Sequence, residues 1–220
     1  LNFVGANVTM PHKETVRAYL DDLTPSAHAI GAVNTIFRQE GKLVGHNTDG
    51  EGLIQAIKEK GQNVKGRRAF LLGAGGAAQA VAMALALAGV ADVAITNRTA
   101  ARAERLVERI RENTSVPAVV VPWNGEVWAG RIREADIIIN ATSAGMAGQP
   151  SFASLVPWPD LKKEAMVCDL VYHPLETELL QNAQVFGLTT VNGLDLLLHQ
   201  GALAFKLWTK REAPLDVMRD

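Results

Sequence analysis

The sequence contains a single cysteine, Cys168, and this scarcity excludes several kinds of structure. One cysteine cannot form a disulfide within the chain, and it cannot build a cysteine-rich structural zinc site. The five histidines lack metal-ligand spacing, so we predict no metal site. Because a chain without disulfides is typical of a reducing compartment, we expect a cytoplasmic location.

The sequence also lacks a long hydrophobic run and an excess of charge of either sign. No apolar stretch reaches the length of a membrane span, and no signal peptide is visible. The net charge is -1, so no basic field predicts binding to nucleic acid or to an anionic membrane. With 220 residues, 48% of them apolar, the chain can form one large or two small globular domains.

From about Val64 onwards, apolar strands alternate with helices. Strands are predicted at RRAFLLG, ADVAITN, PAVVVPW, EADIIINATS and AMVCDLVY, with a last short strand at LTTVN. Helices are predicted between them at AAQAVAMALALAG, TAARAERLVERIREN and TELLQNAQVFG. Buried strands with intervening helices predict an α/β fold with a Rossmann-type, doubly wound parallel sheet.

The earlier part of the chain has a different pattern. A strand is predicted at FVGANVT, a helix begins in PHKETVRAYL with Pro11 in its first turn, and a β-hairpin turns at Glu40-Gly41. A further helix, GEGLIQAIKEKG, leads into the strand–helix alternation, and the apolar helix from Asp195 can pack back on this first part. We therefore predict a smaller, discontinuous α/β domain of residues 1–50 and 194–220, and a nucleotide-binding domain of residues 51–193.

A glycine-rich turn follows the first strand of the alternating region. In GAGGAA, the residues Gly73, Gly75 and Ala78 match the G-x-G-x-x-G/A spacing. The first glycine allows a tight turn, the second lets the backbone approach a pyrophosphate, and the small third residue lets the helix pack closely on the strand. Free N–H groups at the helix start then bind phosphate oxygens. A dinucleotide is predicted; FAD, S-adenosylmethionine or a turn without a ligand are the alternatives.

The end of the second strand indicates which dinucleotide binds. An NAD site usually has Asp or Glu there, to bind the ribose hydroxyls. This strand instead ends in Asn97-Arg98-Thr99. A guanidinium attracts a 2′-phosphate, and a cation at a helix N-terminus is otherwise unfavourable because the helix dipole is positive there. The sequence therefore favours NADP over NAD, with a solvated Arg98 as the alternative.

Polar clusters follow hydrophobic strands in the first part of the chain, at NVTMPHK, AVNT and NTDG. Lys13 follows a strand end and Asp49 follows a hairpin arm, so the two can meet in one crevice. A lysine there can exchange a proton with an alcohol or carbonyl oxygen, and a carboxylate can orient it. Asn34 and Thr9 can bind further hydroxyls. Alternatively, Lys13 is a surface helix residue and Asp49 is an N-cap.

Several motifs occur in one order over essentially the whole chain: NVTMPHK, GAVNT, NTDGEG, GAGGAA, NRT, NATSAGM, DLVYHPLETELL and NGLDLLLHQGALAFKLWT. Together they resemble the shikimate dehydrogenase family. Its members reduce 3-dehydroshikimate to shikimate with NADPH, in the biosynthesis of aromatic amino acids. The resemblance implies that residues 1–50 and 194–220 form a substrate domain, and that residues 51–193 form an NADP-binding Rossmann-like domain.

The resemblance also implies roles for individual residues. Lys13 is implied to be the catalytic acid/base, and Asp49 the carboxylate that pairs with it and contacts substrate hydroxyls. The other substrate-binding residues implied are Thr9, Asn34, Tyr172 and Gln200. The cofactor-binding residues implied are Gly73, Ala74, Gly75, Gly76 and Ala77 in the diphosphate loop, Asn97, Arg98 and Thr99 at the adenosine phosphate, and Thr142, Ser143, Met146 and Gly193 on the nicotinamide side.

One family feature is absent from the sequence. The family carries a further N-terminal segment with an SxS pair that holds the substrate carboxylate, and no such pair occurs here. We expect the sequence to be a fragment, since Leu1 is not an initiator; a truncated, non-catalytic NADP-binding homologue is the alternative. A quinate/shikimate dehydrogenase of broader cofactor use is a second alternative. A monomer or a homodimer is expected.

Overall fold

The computed structural model describes residues 3–9, 11–123 and 125–219, and it contains two β-sheets. Met10, inside the NVTMPHK motif, lies outside these residues, as do the outermost positions of the predicted first domain. The strands are β1 Gly5–Asn7, β2 Asp22–Leu23, β3 Thr35–Gln39, β4 Lys42–His46, β5 Arg68–Leu72, β6 Asp92–Thr96, β7 Ala118–Val120, β8 Ile137–Asn140, β9 Met166–Asp169 and β10 Thr189–Val191.

Helices connect and cover these strands. The α-helices are α1 Pro25–Ile30, α2 Asp49–Glu59, α3 Gly76–Leu87, α4 Ala100–Asn113, α5 Gly125–Arg133, α6 Glu178–Val185, α7 Gly193–Thr209 and α8 Leu215–Arg219. Short 3₁₀ helices span Thr15–Tyr19, Ala153–Leu155 and Trp158–Asp160. No helix in the described ranges combines the length and apolar character needed to cross a membrane.

The larger sheet confirms the predicted fold class. Its six strands are all parallel, in the order β10-β9-β8-β5-β6-β7. Apolar side chains on one face pack against α2, α3 and α4, and those on the other face pack against α5 and α6. The strand order reverses between β5 and β8, and in such sheets ligands bind outside the carboxyl ends of the strands at this switch point.

The smaller sheet has four strands in the order β1-β3-β4-β2. Its hairpin turns at Glu40 and Gly41 as predicted, with φ of 50° and 82°, both positive as in a type I′ turn. The prediction of a helix that begins in PHKETVRAYL is wrong in the type of helix and in its first residue. Residues 11–14 form turns and only a 3₁₀ helix follows, from Thr15.

Two long helices connect the two sheets. The helix α7 packs on the smaller sheet, where the indole nitrogen of Trp208 donates to the carbonyl of Ile36 in β3 at 2.9 Å. The helix α2 packs against both α7 and α3. Gly50 allows this approach, because a Cβ there would lie 2.3 Å from the carbonyl oxygen of Ala80 in α3. The first turn of α2 is therefore held beside the glycine-rich end of the large sheet.

Candidate active site

Lys13 and Asp49 form an ion pair in the structure. The ammonium Nζ lies 2.6 Å from Oδ2 of the carboxylate, and the two side chains are only 16% and 7% exposed. The alternative in which Asp49 is an N-cap is wrong: Thr48 occupies the N-cap position of α2, and Asp49 is the first helical residue. A partly buried ammonium with a fixed carboxylate partner can be oriented for proton transfer.

Asn34 links this ion pair to the rest of the first part of the chain. Its amide nitrogen donates to Oδ1 of Asp49 at 2.7 Å, and lies 3.0 Å from Oγ1 of Thr48 and 3.3 Å from Oε1 of Gln200. Its side-chain oxygen Oδ1 accepts from the backbone N–H of Thr48 at 2.8 Å and from the hydroxyl of Thr35 at 2.9 Å. The side chain is buried, so these bonds fix the carboxylate beside Lys13.

The predicted substrate residues are brought together to different extents. Gln200, on α7, reaches Asn34 from the far end of the chain. Thr9 is exposed and follows Val8, whose N–H donates to the carbonyl of Asn34 at 2.7 Å. Tyr172 is 56% exposed, after the end of β9, and no described hydrogen bond joins it to the cluster.

The predicted diphosphate loop lies at the carboxyl end of β5. Gly73 has a φ of +114°, and a Cβ there would lie 2.9 Å from the carbonyl oxygen of Ala141, so the loop is packed against the segment after β8. Around Gly75 there is open space, and Gly75 occupies the N-cap of α3 without any side-chain cap. The first N–H groups of α3 are thus available to phosphate oxygens, and the residues present fit a dinucleotide diphosphate.

A cleft of about 480 Å³ extends from the glycine loop to Lys13. Lys13 lines this cleft together with Ala74, Gly75 and Gly76. The catalytic candidate from the smaller sheet's side and the phosphate-binding candidate from the larger sheet therefore face the same space.

The cleft also contains cations that the sequence reasoning missed. Arg102 and Arg105 lie three residues apart on the first two turns of α4, and both line the cleft. The predicted Arg98 is exposed just before α4, and the neighbouring Asn97 donates to the carbonyl of Thr99 at 2.9 Å. The three-residue spacing of arginines in NRTAARAER was the signal that could have found the pair.

A third cationic side chain bridges the cleft. Arg109, further along α4, donates to the carbonyl of Ile30 at the end of α1 and lies 3.2 Å from Oε1 of Gln79 in α3. Gln79 in turn donates to Glu14 at 3.2 Å. These bonds join α3, the helix after the glycine turn, to the segment that carries Lys13.

The segment predicted to lie on the nicotinamide side follows β8. Thr142 donates its N–H and its hydroxyl to Oδ1 of Asn140, at 3.0 and 2.7 Å, while Ser143 and Met146 follow in the same loop and Met146 is exposed. Gly193 begins α7, and a Cβ there would lie 2.5 Å from the carbonyl of Val171, after β9. The start of α7 therefore packs against the segment that follows β9.

A buried acid, Asp169, lies at the end of β9 and was not recognised from the sequence. It is 1% exposed and accepts hydrogen bonds from Asn140 at 2.9 Å, Val171 at 3.0 Å and Thr177 at 2.6 Å. Burial raises the pKa of Asp169 to about 6, against the opposing effect of these three donors. Within the described part of the chain, no group of three or more His, Cys, Asp or Glu residues is arranged to hold a metal ion.

Three family models match the chain. The model described as shikimate / quinate 5-dehydrogenase matches residues 55–170. The shikimate dehydrogenase substrate binding domain matches residues 1–36, and the shikimate 5′-dehydrogenase C-terminal domain matches residues 193–220.

Curated relatives and solved structures agree with these matches. Shikimate dehydrogenase (NADP(+)) of Desulforamulus reducens is 47% identical over 100% of this chain and 76% of its own length. The shikimate 5-dehydrogenase of Listeria monocytogenes, solved with shikimate and NAD, is 40% identical with a TM-score of 0.93, over 99% of this chain and 77% of that chain. The Thermus thermophilus enzyme, solved with NADP(H) and shikimate, is 40% identical with a TM-score of 0.83 over the same shares.

Proposed function

The chain belongs to the shikimate dehydrogenase family, and on that premise we propose that it interconverts shikimate and 3-dehydroshikimate with NADP(H), in aromatic amino-acid biosynthesis. The observation that carries this function is the single cleft lined by Lys13 and by the glycine turn. An oxidoreductase of this kind must hold a bound dinucleotide beside the carbonyl carbon of the substrate and a proton donor beside its oxygen.

We propose that Lys13 is the acid/base. When bound, NADPH supplies the hydride to the substrate carbonyl carbon. Lys13 Nζ gives a proton to the carbonyl oxygen during reduction and takes it back during oxidation. Asp49 holds Nζ through Oδ2, while Asn34 holds Oδ1, so the ammonium keeps one orientation. Each carboxylate oxygen retains a lone pair for a substrate hydroxyl.

The remaining predicted residues fit binding roles in this proposal. Thr9, Asn34, Tyr172 and Gln200 bind substrate hydroxyls. The loop of residues 73–77 binds the diphosphate, and residues 142, 143, 146 and 193 contact the nicotinamide side. Closing the cleft around both ligands excludes water.

The cofactor is NADP, and its extra phosphate has a matching cationic surface. We propose that Arg98, Asn97 and Thr99 bind the adenosine 2′-phosphate, with Arg102 alongside them in the first turn of α4. Arginine pairs with phosphate through two parallel hydrogen bonds, and a cation at a helix start is otherwise unfavourable because the helix dipole is positive there.

The domain division is also a proposal: residues 1–50 and 194–220 as the substrate domain, and residues 51–193 as the NADP-binding domain. It is supported by the two separate sheets and by the packing of α7 on the smaller one. Because α2 contacts both α3 and α7, the boundary falls at this helix. The cytoplasmic location and the monomeric or homodimeric state stay predictions.

The purified full-length protein should oxidise shikimate with NADP, and it should prefer NADP to NAD. The absorbance of the NADPH formed measures the rate. NADPH titration by fluorescence provides the second measurement. NADPH binding without turnover of shikimate would contradict the proposed enzymatic function and favour a non-catalytic NADP-binding homologue. Quinate is tested in the same assay. Oxidation of quinate with either NAD or NADP would instead favour a quinate/shikimate dehydrogenase of broader cofactor use.

A further inference from the structure

Two neighbouring strands of the large sheet end in polar residues that pair across the register. Asn140 ends β8 and Asp169 ends β9, and the two are register partners. The amide nitrogen of Asn140 donates to Oδ1 of Asp169 at 2.9 Å, and both side chains are buried. These strands stand beside the switch point, where the glycine turn and the segment after β8 are in contact.

Asn140 transmits this fixed position to the loop of residues 141–146. Its oxygen accepts both the N–H and the hydroxyl of Thr142, at 3.0 and 2.7 Å. Its nitrogen also donates to the carbonyl of Ala144 at 3.0 Å, and the hydroxyl of Thr142 accepts from the N–H of Ala144 at 3.0 Å. A single amide therefore sets the course of the loop, and the orientation of that amide depends on an acceptor at Asp169.

Asp169 holds a second loop at the same time. Its Oδ1 accepts from the N–H of Val171 at 3.0 Å, next to Tyr172. Its Oδ2 accepts from the hydroxyl of Thr177 at 2.6 Å, and Thr177 caps α6 through the N–H of Leu180. All three donors to the carboxylate are neutral, and one carboxylate connects the loops after β8 and β9.

We propose that Asp169 is a positioning residue for hydride transfer: acting through Asn140 and Val171, it holds the nicotinamide-side loop and the Tyr172 loop in one relative position, a role that rests on the proposed dehydrogenase function. Asp169 touches neither ligand in this role. It affects the relative positions of the reacting atoms, and a small displacement of these atoms strongly lowers the rate constant.

The test is a single-turnover measurement by stopped flow, with enzyme in excess over shikimate and with saturating NADP. Asp169→Ala removes the acceptor and should lower the rate constant of the hydride step by about 10-fold to 100-fold. A variant that merely folded poorly would instead lose amplitude and keep its rate constant. An unchanged rate constant in Asp169→Ala would overturn the proposal.

The conservative variant Asp169→Asn provides the rescue. Its oxygen can still accept from Asn140 and Val171, so most of the rate should return; a rate as low as that of Asp169→Ala would contradict the acceptor role. Asp136→Ala is the matched control, since Asp136 lies just before β8, at the opposite end of that strand from Asn140, and accepts from Arg68 and Lys162. It should lower stability without changing the rate constant.

Asn140→Ala keeps the proposal testable if Asp169→Ala fails to fold. It cuts the same path one residue nearer the loop, and leaves Asp169 its bonds to Val171 and Thr177. The rate constant should fall as it does for Asp169→Ala, and no fall would count against the proposal.

NADPH fluorescence titrations on the same proteins separate this inference from the proposed function. The emission of bound NADPH should differ between wild type and Asp169→Ala. The emission in Asp169→Asn should match that of wild type. Wild type that binds NADPH without turnover would defeat the proposed function. The emission comparison would then still decide whether Asp169 orders the nicotinamide-side loop, and identical emission in all three proteins would overturn that role.

Discussion

On the proposed substrate side of the cleft, Asp49 binds both Lys13 and Asn34. On the proposed cofactor side, Arg98 and Arg102 are exposed, and no side chain among the described residues caps the first N–H groups of α3. The substrate side is preorganised by side chains from distant parts of the chain. The cofactor side consists of a short loop and a helix start. Proton transfer needs a fixed donor, whereas a phosphate needs accessible donors and positive charge.

The two sides also differ in how they keep a buried carboxylate. Asp49 faces an ammonium at 2.6 Å, whereas the donors to Asp169 among the described residues are an amide, a backbone N–H and a hydroxyl. An acid without a cation is costly to ionise when it is buried. Asp49 therefore orients a charged partner, whereas Asp169 holds neutral groups in place.

Replacing Lys13 is expected to have the largest effect. Lys13→Ala should lower kcat by about 10²–10⁴-fold with little change in fold, because the proton donor is lost while the sheets are untouched. Steady-state assays with circular dichroism measure both. Lys58→Ala, at an exposed lysine of α2, is the control. A loss smaller than about tenfold would remove Lys13 from the mechanism.

The ionisation of the buried Asp169 can be tested by varying the pH. Burial raises the pKa of Asp169 from its ordinary 3.8 to about 6, so the folded state keeps this proton to higher pH than the unfolded state. The unfolding free energy should therefore fall as pH rises from about 4 to about 6, by up to about 3 kcal/mol from this group.

Asp169→Asn should lack this component, which denaturant titrations across the pH range would show as a difference from wild type. Asp216→Asn makes the same charge change at an exposed acid and should leave the wild-type profile. Parallel profiles for wild type and Asp169→Asn would contradict the expected ionisation.

Removing the amide at the centre of the substrate side tests its preorganisation. Asn34→Ala removes the buried amide that Asp49, Thr48 and Thr35 share as a hydrogen-bond partner, which should reduce the unfolding free energy by about 1–3 kcal/mol and raise the KM for shikimate. Denaturant titration and kinetics measure the two effects. Asn63→Ala, at an exposed loop asparagine, should change neither. Unchanged stability in Asn34→Ala would show that these bonds do not order the site.

The cofactor side should respond in affinity and not in stability. Arg98→Ala or Arg102→Ala should raise the KM for NADP roughly 10-fold, since each removes a charged hydrogen bond to phosphate, while the KM for NAD stays the same. Thermal melts should match wild type, and Arg211→Ala serves as the exposed control. Equal effects on NADP and NAD would contradict the phosphate-binding role.

The sequence predicted the elements whose apolar pattern is continuous and missed those whose pattern is weak. The strands of the large sheet and the helices α3, α4, α6 and α7 were predicted because their apolar periodicity is continuous. The helix α5 was missed: Gly125 and Gly130 weaken its pattern, and only the spacing of the buried Trp128 and Ile132 marks it. The six-residue α1 is too short to show a period.

The glycine turn was determined by the sequence itself, because the glycine spacing and the strand before it are consecutive in the chain and act through the local backbone. The pairing of Lys13 with Asp49, and their connection to Asn34 and Gln200, was decided by tertiary structure. Asn34 and Gln200 are 166 positions apart, and only the packing of α2 and α7 brings them together. Local backbone geometry follows from neighbouring residues, whereas a buried polar cluster exists only where distant elements close around it.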